Sequence, residues 1–183
     1  IPPERHYTMN KGFSDCSKLK RFKCNSFEYG EDSMTTIFNL LSFSNCVSLE
    51  ECDFGELKGY VNSTSYEMFQ NTPIAASCVP VNIIKSGSQS YANCKKIRTV
   101  VFEGNLDIIG SRMFNGCNSV TVIFKSTTPP TTLEYAGLGN VVAIYVPDTA
   151  VSDYKSSVIS GYASIIFPLS EYNGYMPTKL YEI

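Results

Sequence analysis

A single histidine, His6, is all that the 183-residue sequence contains. Cys-His and Ser-His catalytic arrangements both need that imidazole as a base, so one histidine near the start of the chain argues against a catalytic triad. No Cys-x-x-Cys pair occurs among the seven cysteines, which removes the usual spacing of a metal site. Charge is sparse as well. Charged residues make up 17% of the chain and the net charge is only -2, so neither a nucleic acid nor an anionic membrane finds an electrostatic footprint. No apolar run approaches the roughly 18 residues needed to cross a bilayer. Ile1 to His6 carry no signal-peptide blocks, and localisation is not legible in these residues. Asn62-Ser63-Thr64 fits a glycosylation acceptor, a pattern that arises often by chance.

Hydrophobic residues reach 43%, enough for a folded chain and against intrinsic disorder. Their arrangement is periodic. Phe13, Cys16, Leu19 and Phe22 are spaced by three, and the spacing returns at Phe43, Cys46, Leu49 and Cys52, then at Phe69, Thr72, Ala75 and Cys78. It returns again at Tyr91, Cys94, Ile97 and Val100, at Phe114, Cys117, Val120 and Ile123, and at Tyr135, Leu138, Val141 and Ile144. Only Thr72 is polar among these positions, where random placement would leave about ten apolar occupants of twenty-four. The aromatic-to-aromatic steps are 30, 26, 22, 23 and 21 residues, in or near the range of leucine-rich repeats. Gly, Asn, Ser and Pro interrupt every repeat, which favours short turns and strands over helices.

Each repeat is then one coil that cannot bury its own apolar side, and stacking makes the core continuous. Segments 20–24, 51–54, 97–102, 120–124 and 142–146 are β-rich and predict parallel strands lining one face. In the fifth repeat Val122 and Phe124 compete with Ile123 for the inward direction. The expected fold is a leucine-rich-repeat solenoid of stacked short parallel strands with turns or short helical segments, a β-rich α/β class, of about six repeats plus a C-terminal cap.

The run Ile109-Gly110-Ser111-Arg112-Met113-Phe114-Asn115-Gly116-Cys117-Asn118-Ser119-Val120 resembles the BspA-type leucine-rich repeat of bacterial surface proteins, which reads Ile-Gly, a small linker, Phe, two residues, Cys, two residues, Leu. Thr128-Pro129-Pro130-Thr131, Ile144-Tyr145-Val146-Pro147-Asp148 and Val151 to Tyr154-Lys155 are similar to the closing segment of such proteins from anaerobic gut and oral bacteria. The resemblance covers about Gly12 to Tyr172. It departs at Phe43 and Phe69, which lack a preceding Ile-Gly, and at Thr72, which replaces Cys. It implies export, a place at the cell surface, and attachment to host or bacterial surface proteins.

Cys16, Cys46, Cys94 and Cys117 share one repeat position, so they are expected as buried thiols, joined in the strand core by Cys52 and Cys78; Cys24 is left open. Ser17-Lys18-Leu19-Lys20 and Lys85-Ser86-Gly87 only formally resemble a penicillin-binding signature, because no Ser-Asp-Asn element accompanies them. Glu50, Glu51, Asp53 and Glu56 form an acidic cluster of the kind a glycosidase uses, and also of the kind a solvated strand edge shows.

Alternation assigns Arg21 and Lys23, Glu51 and Asp53, Thr99 and Val101, and Ala143 and Tyr145 to the outward strand face, the expected binding surface. Residues 1–172 read as one domain with a cap from about 148, where Asp148 or Thr149 caps a short helix, Ala163 to Leu169 forms a last strand, and residues 173–183 follow as a tail. The expected function is a non-enzymatic surface module binding a protein, with no cofactor and no metal. A structural spacer and a carbohydrate-binding or carbohydrate-active protein are the alternatives.

Overall fold

A computed structural model describes residues 12–23, 26–27, 42–53, 56–57, 64 and 66–183. His6, Cys24, Phe54, Asn62 and Ser63 lie outside the described residues.

The coils start from turn chemistry. The residue just before the Cys position adopts a left-handed backbone in five successive coils: Asp15 (φ 64), Asn45 (62), Asn71 (55), Asn93 (60) and Gly116 (71). Asn, Asp and Gly are the residues that enter this region at least cost. Their side chains also join the coils, since Asn45 Nδ2 donates to Asp15 Oδ1 at 2.7 Å and Asn71 Nδ2 to Asn45 Oδ1 at 3.0 Å. At Gly116 a Cβ would overlap Asn93 Oδ1, so a side chain there requires that amide to move.

Behind the turns the rings form a continuous pile. Centroids lie 5.3 Å apart for Phe13 and Phe43, 6.2 Å for Phe43 and Phe69, 5.9 Å for Phe69 and Tyr91, and 5.6 Å for Tyr91 and Phe114. Beside them the thiols stitch each coil to the one before. Cys46 Sγ donates to Phe13 O at 3.1 Å, Cys94 Sγ to Phe69 O at 2.9 Å and Cys117 Sγ to Tyr91 O at 3.0 Å. Thr72 Oγ1 donates instead to Phe69 O of its own coil at 2.8 Å, which satisfies the one hydroxyl in the column. Leu49, Ile97 and Val120 are fully buried, and Leu19 packs half-buried in the first described coil.

Several positions depart from the repeat reading. In the third coil fully buried Ile74 takes the core place expected for Ala75, and Cys78, expected in the strand core, lies half-buried in outward register beside Val101 while Ser77 stands level with Val100. Cys16 is exposed, because no described coil lies beneath the first one to cover it. Tyr135 is 74% exposed and stands outside the ring pile; fully buried Leu138 takes the ring position of the sixth coil, as the bond from Arg112 N to Tyr135 O fixes the register.

Among the described residues eleven strands follow: β1 (Arg21–Lys23), β2 (Ser26–Phe27), β3 (Glu51–Asp53), β4 (Glu56–Leu57), β5 (Ala76–Val79), β6 (Thr99–Phe102), β7 (Ile108–Ile109), β8 (Val120–Phe124), β9 (Thr132–Leu133), β10 (Val141–Val146) and β11 (Ile166–Pro168). These strands pair with one another in parallel, as expected when each crossover returns through a full coil. The strand face is not one sheet, however. It divides into β1-β3 and a five-stranded sheet ordered β11-β10-β8-β6-β5. In the larger sheet Val100 and Phe102 of β6 and Val122 and Phe124 of β8 join the core, so Ile123 points outward. The cap contains α1 (Val151–Lys155), whose N-cap is Ala150 and carries no side-chain cap bond. Asp148 does not cap it, because its carboxylate already accepts from Ser170 N at 3.0 Å. Residues 160–165 are 3-10 turns, and the last strand shortens to β11.

The break in the sheet is filled by the end of the chain. Ala75 N and Ala76 N donate to Glu182 O at 2.7 and 3.2 Å, Glu182 N to Ala76 O at 3.0 Å, and Cys78 N to Lys179 O at 2.7 Å. The segment therefore runs antiparallel along the free edge of β5, on the side facing β3. Residues 173–183, which follow the cap as a tail in sequence, thus return to the third coil. Leu180 and Tyr181 are buried at 7% and 3% exposure.

Candidate functional site

Outward strand positions fall into two groups. On β1 and β3, Arg21, Lys23 and Glu51 are exposed and Asp53 is half-exposed, while Phe22 and Cys52 turn inward. Opposite charges face each other across the pair: Lys20 Nζ lies 2.9 Å from Glu50 Oε1, and Arg21 Nε 3.9 Å from Glu51 Oε2. Glu50 and Glu51 of the acidic cluster are accordingly tied to bases of the neighbouring coil. Lys20 holds the Glu50 carboxyl below the usual carboxylate range, first by its hydrogen bond and then by its charge.

On the larger sheet the assignment fails. Thr99 and Val101 are buried, and Ala143 and Tyr145 half-buried. All four do lie in outward register, Thr99 beside Thr121 and Val101 beside Ile123 and Cys78. The returning chain covers part of this face. Tyr172 sets its ring 4.9 Å from that of Tyr145 and its hydroxyl 3.5 Å from Thr99 Oγ1. An outward position is a surface position only while nothing folds over it, and here the protein covers its own sheet.

Two grooves flank the returning segment. One, of about 510 Å³, lies between the charged edge of β3 and Tyr175, Lys179 and Glu182. The other, of about 590 Å³, is lined by Cys52, Cys78, Pro80, Met176, Pro177 and Leu180 among others. At its rim Lys125 Nζ pairs with Glu103 Oε1 at 2.8 Å, and Cys78 Sγ donates to the same oxygen at 3.3 Å.

The thiols are poor nucleophiles. Burial pushes Cys46 and Cys94 up to about 11, and Cys78 and Cys117 up to about 12. At neutral pH they stay protonated, which suits donation to carbonyls and not attack. Ser86 of the Lys85-Ser86-Gly87 run is buried and accepts from Gly110 N at 2.8 Å, while Lys85 pairs with Glu134 at 3.7 Å. Neither is poised for chemistry. Among the described residues no group of three or more His, Cys, Asp and Glu stands close enough to hold a metal. No helix among them is long and apolar enough to cross a membrane.

Sequence reading missed Leu180 and Tyr181, whose burial depends on partners more than a hundred residues away, and Tyr66, whose exposure has no local signature. A protein-family model, the BspA type leucine-rich repeat region, matches in six copies over residues 13–131, more than half of the chain. No curated protein matches.

Proposed function

The chain belongs to the BspA-type leucine-rich-repeat family, and from that premise we propose a non-enzymatic binding module that recognises a protein partner at the open, charged end of its strand face. Repeats of this family form surface or protein-interaction modules, typically extracellular and generally without enzymatic activity. The repeat domain spans residues 1–172 with its cap from about 148, exported to the cell surface, and residues 173–183 serve as its returning tail. Its partner is a host or bacterial surface protein.

One observation supports this reading above others: Arg21, Lys23 and Glu51 stand exposed on adjacent strands, while their counterparts on the larger sheet lie under the chain's own return. The Arg21–Glu51 pair and the Lys20–Glu50 pair beside it are more than half exposed and contribute little to folding. They are thus available to exchange partners at low cost, which gives orientation and association rate more than raw affinity. The face that remains open is small and suits a rigid contact beside the groove at Lys179 and Glu182.

The test is a pull-down of extracellular-matrix and surface proteins with the wild-type chain and with Arg21, Lys23, Glu51 and Asp53 all changed to Ala. The reading expects captured proteins to be lost from the variant with its circular dichroism intact. Unchanged capture rejects the assignment.

A further inference from the structure

Away from the strand face, the turns preceding the ring column make a second ladder. Glu67 N donates to Ser88 O at 3.0 Å, Gln89 N to Ser111 O at 2.9 Å and Arg112 N to Tyr135 O at 2.9 Å. These bonds place Tyr66, Ser88, Ser111 and Tyr135 in one column over four consecutive coils, each directly before the donating residue of its turn or its equivalent, Ala136. Over these four described coils the column runs from ring to ring and dips to a hydroxymethyl group twice between. Both rings are open to solvent, Tyr66 at 50% and Tyr135 at 74% exposure. Three coil spacings separate them, about 15 Å.

The floor between the rings is polar and organised. Gln89 Nε2 donates to Tyr66 Oη at 2.5 Å, and the Arg112 guanidinium lies 5.3 Å from the centre of the Tyr135 ring. Glu134 Oε2 accepts from Ser111 N at 2.9 Å and from Ser88 Oγ at 3.3 Å, and its other oxygen faces Lys85 Nζ at 3.7 Å. Two bases, Lys85 and Arg112, are matched by two acids, Glu67 and Glu134.

We propose that this shelf binds a neutral oligosaccharide of about three to four rings, with Tyr66 and Tyr135 as stacking platforms and Gln89, Arg112 and Glu134 as the polar contacts between them. The chemistry selects the ligand class. The Ser88, Ser111 and Tyr135 carbonyls accept within the inter-coil ladder and the Ser111 N–H is held by Glu134, which leaves an extended peptide little continuous edge to pair with. Among the described residues the shelf offers no apolar trough for a helix. A ligand held here must bring hydroxyls for the amide, guanidinium and carboxylate, and flat C–H faces for two rings set apart along a line. A linear sugar brings both, and a balanced floor charge disfavours a strongly anionic one. The site lies on another face from the charged strands and does not depend on the protein-partner reading.

The experiment is isothermal titration of the whole chain with cellotetraose, N-acetylchitotetraose and maltotetraose. The proposal expects at least one of them to bind, Tyr135→Ala to weaken it by at least about tenfold, and Tyr66→Ala with Tyr135→Ala to abolish it. Ser88→Tyr, which fills the dip and removes neither ring, abolishes it as well. Arg21→Ala with Glu51→Ala leaves the titration unchanged, and the double tyrosine variant keeps any captured protein partner. Both tyrosines are exposed, so thermal midpoints stay within a few degrees of wild type. Absence of binding with all three sugars, or binding that survives the double tyrosine variant, overturns the proposal.

Discussion

The Tyr181 hydroxyl donates to the Leu49 carbonyl at 2.9 Å, across 132 residues of sequence. Its ring lies 5.3 Å from Phe69, so the end of the chain is built into the aromatic pile of the second and third coils. Ser77 Oγ adds a 2.7 Å bond to Leu180 O and a 2.8 Å contact to Tyr91 Oη, all buried. Removing this segment leaves a cavity, an open β5 edge and two orphaned polar groups.

Tyr181→Ala is therefore expected to cost about 3–5 kcal/mol, the range for deleting a buried ring. Tyr181→Phe keeps the ring and strands the Leu49 carbonyl, for about 1–3 kcal/mol. Urea unfolding measures both. A Tyr181→Ala cost under about 1 kcal/mol shows that the segment merely rests on the surface.

Gly116→Ala combines a positive φ with an overlap against Asn93 Oδ1, and is expected to destabilise by about 1–3 kcal/mol. Asn93→Gly in the same chain relieves the overlap and not the backbone strain. A double-mutant cycle should then recover part of the loss, and full additivity of the two changes contradicts the side-chain column.

Thiol labelling separates the exposed coil from the buried ones. Iodoacetamide is expected to modify Cys16 in the native protein, while Cys46, Cys52, Cys94 and Cys117 react only after unfolding. Peptide mass mapping before and after urea checks this, and native modification of Cys94 contradicts the rungs.

Alkaline pH should weaken the fold through the same thiols. Burial raises Cys94 from 9.0 to about 11 and Cys117 to about 12. Below the unfolded value both states hold the proton and the contribution is complete. Above it the unfolded chain ionises first, so stability drains as pH climbs from 9 toward 11–12. Urea midpoints across that window should fall less steeply in a Cys94→Ala, Cys117→Ala variant than in the wild type. Parallel slopes contradict the assignment.

The core column is legible in the sequence because identical environments recur, and four of the coils repeat a ring, a thiol and an aliphatic group for the same neighbours. Tyr135 misleads for a related reason: a spacing of three lets Leu138 and Val141 fit the pattern in either frame, and only the hydrogen bond to Arg112 separates the two. β5 escapes notice because Ala76-Ser77-Cys78-Val79 lacks alternation, its buried Ser77 being satisfied by Tyr91 and Leu180. The outward residues were in the right register. Thr99 lost its surface in part to Tyr172, more than seventy residues distant, which no local pattern encodes.

The antiparallel pairing of β5 with Glu182 also sets an order of events. An ordinary solenoid grows coil by coil, each completed turn templating the next, and can be shortened from its far end with only local loss. Here the joint between the second and third coils stays unfinished until residue 182 has left the ribosome. During synthesis that joint is the natural place for a chaperone to hold and for a protease to cut, although it lies far upstream of the residues that seal it.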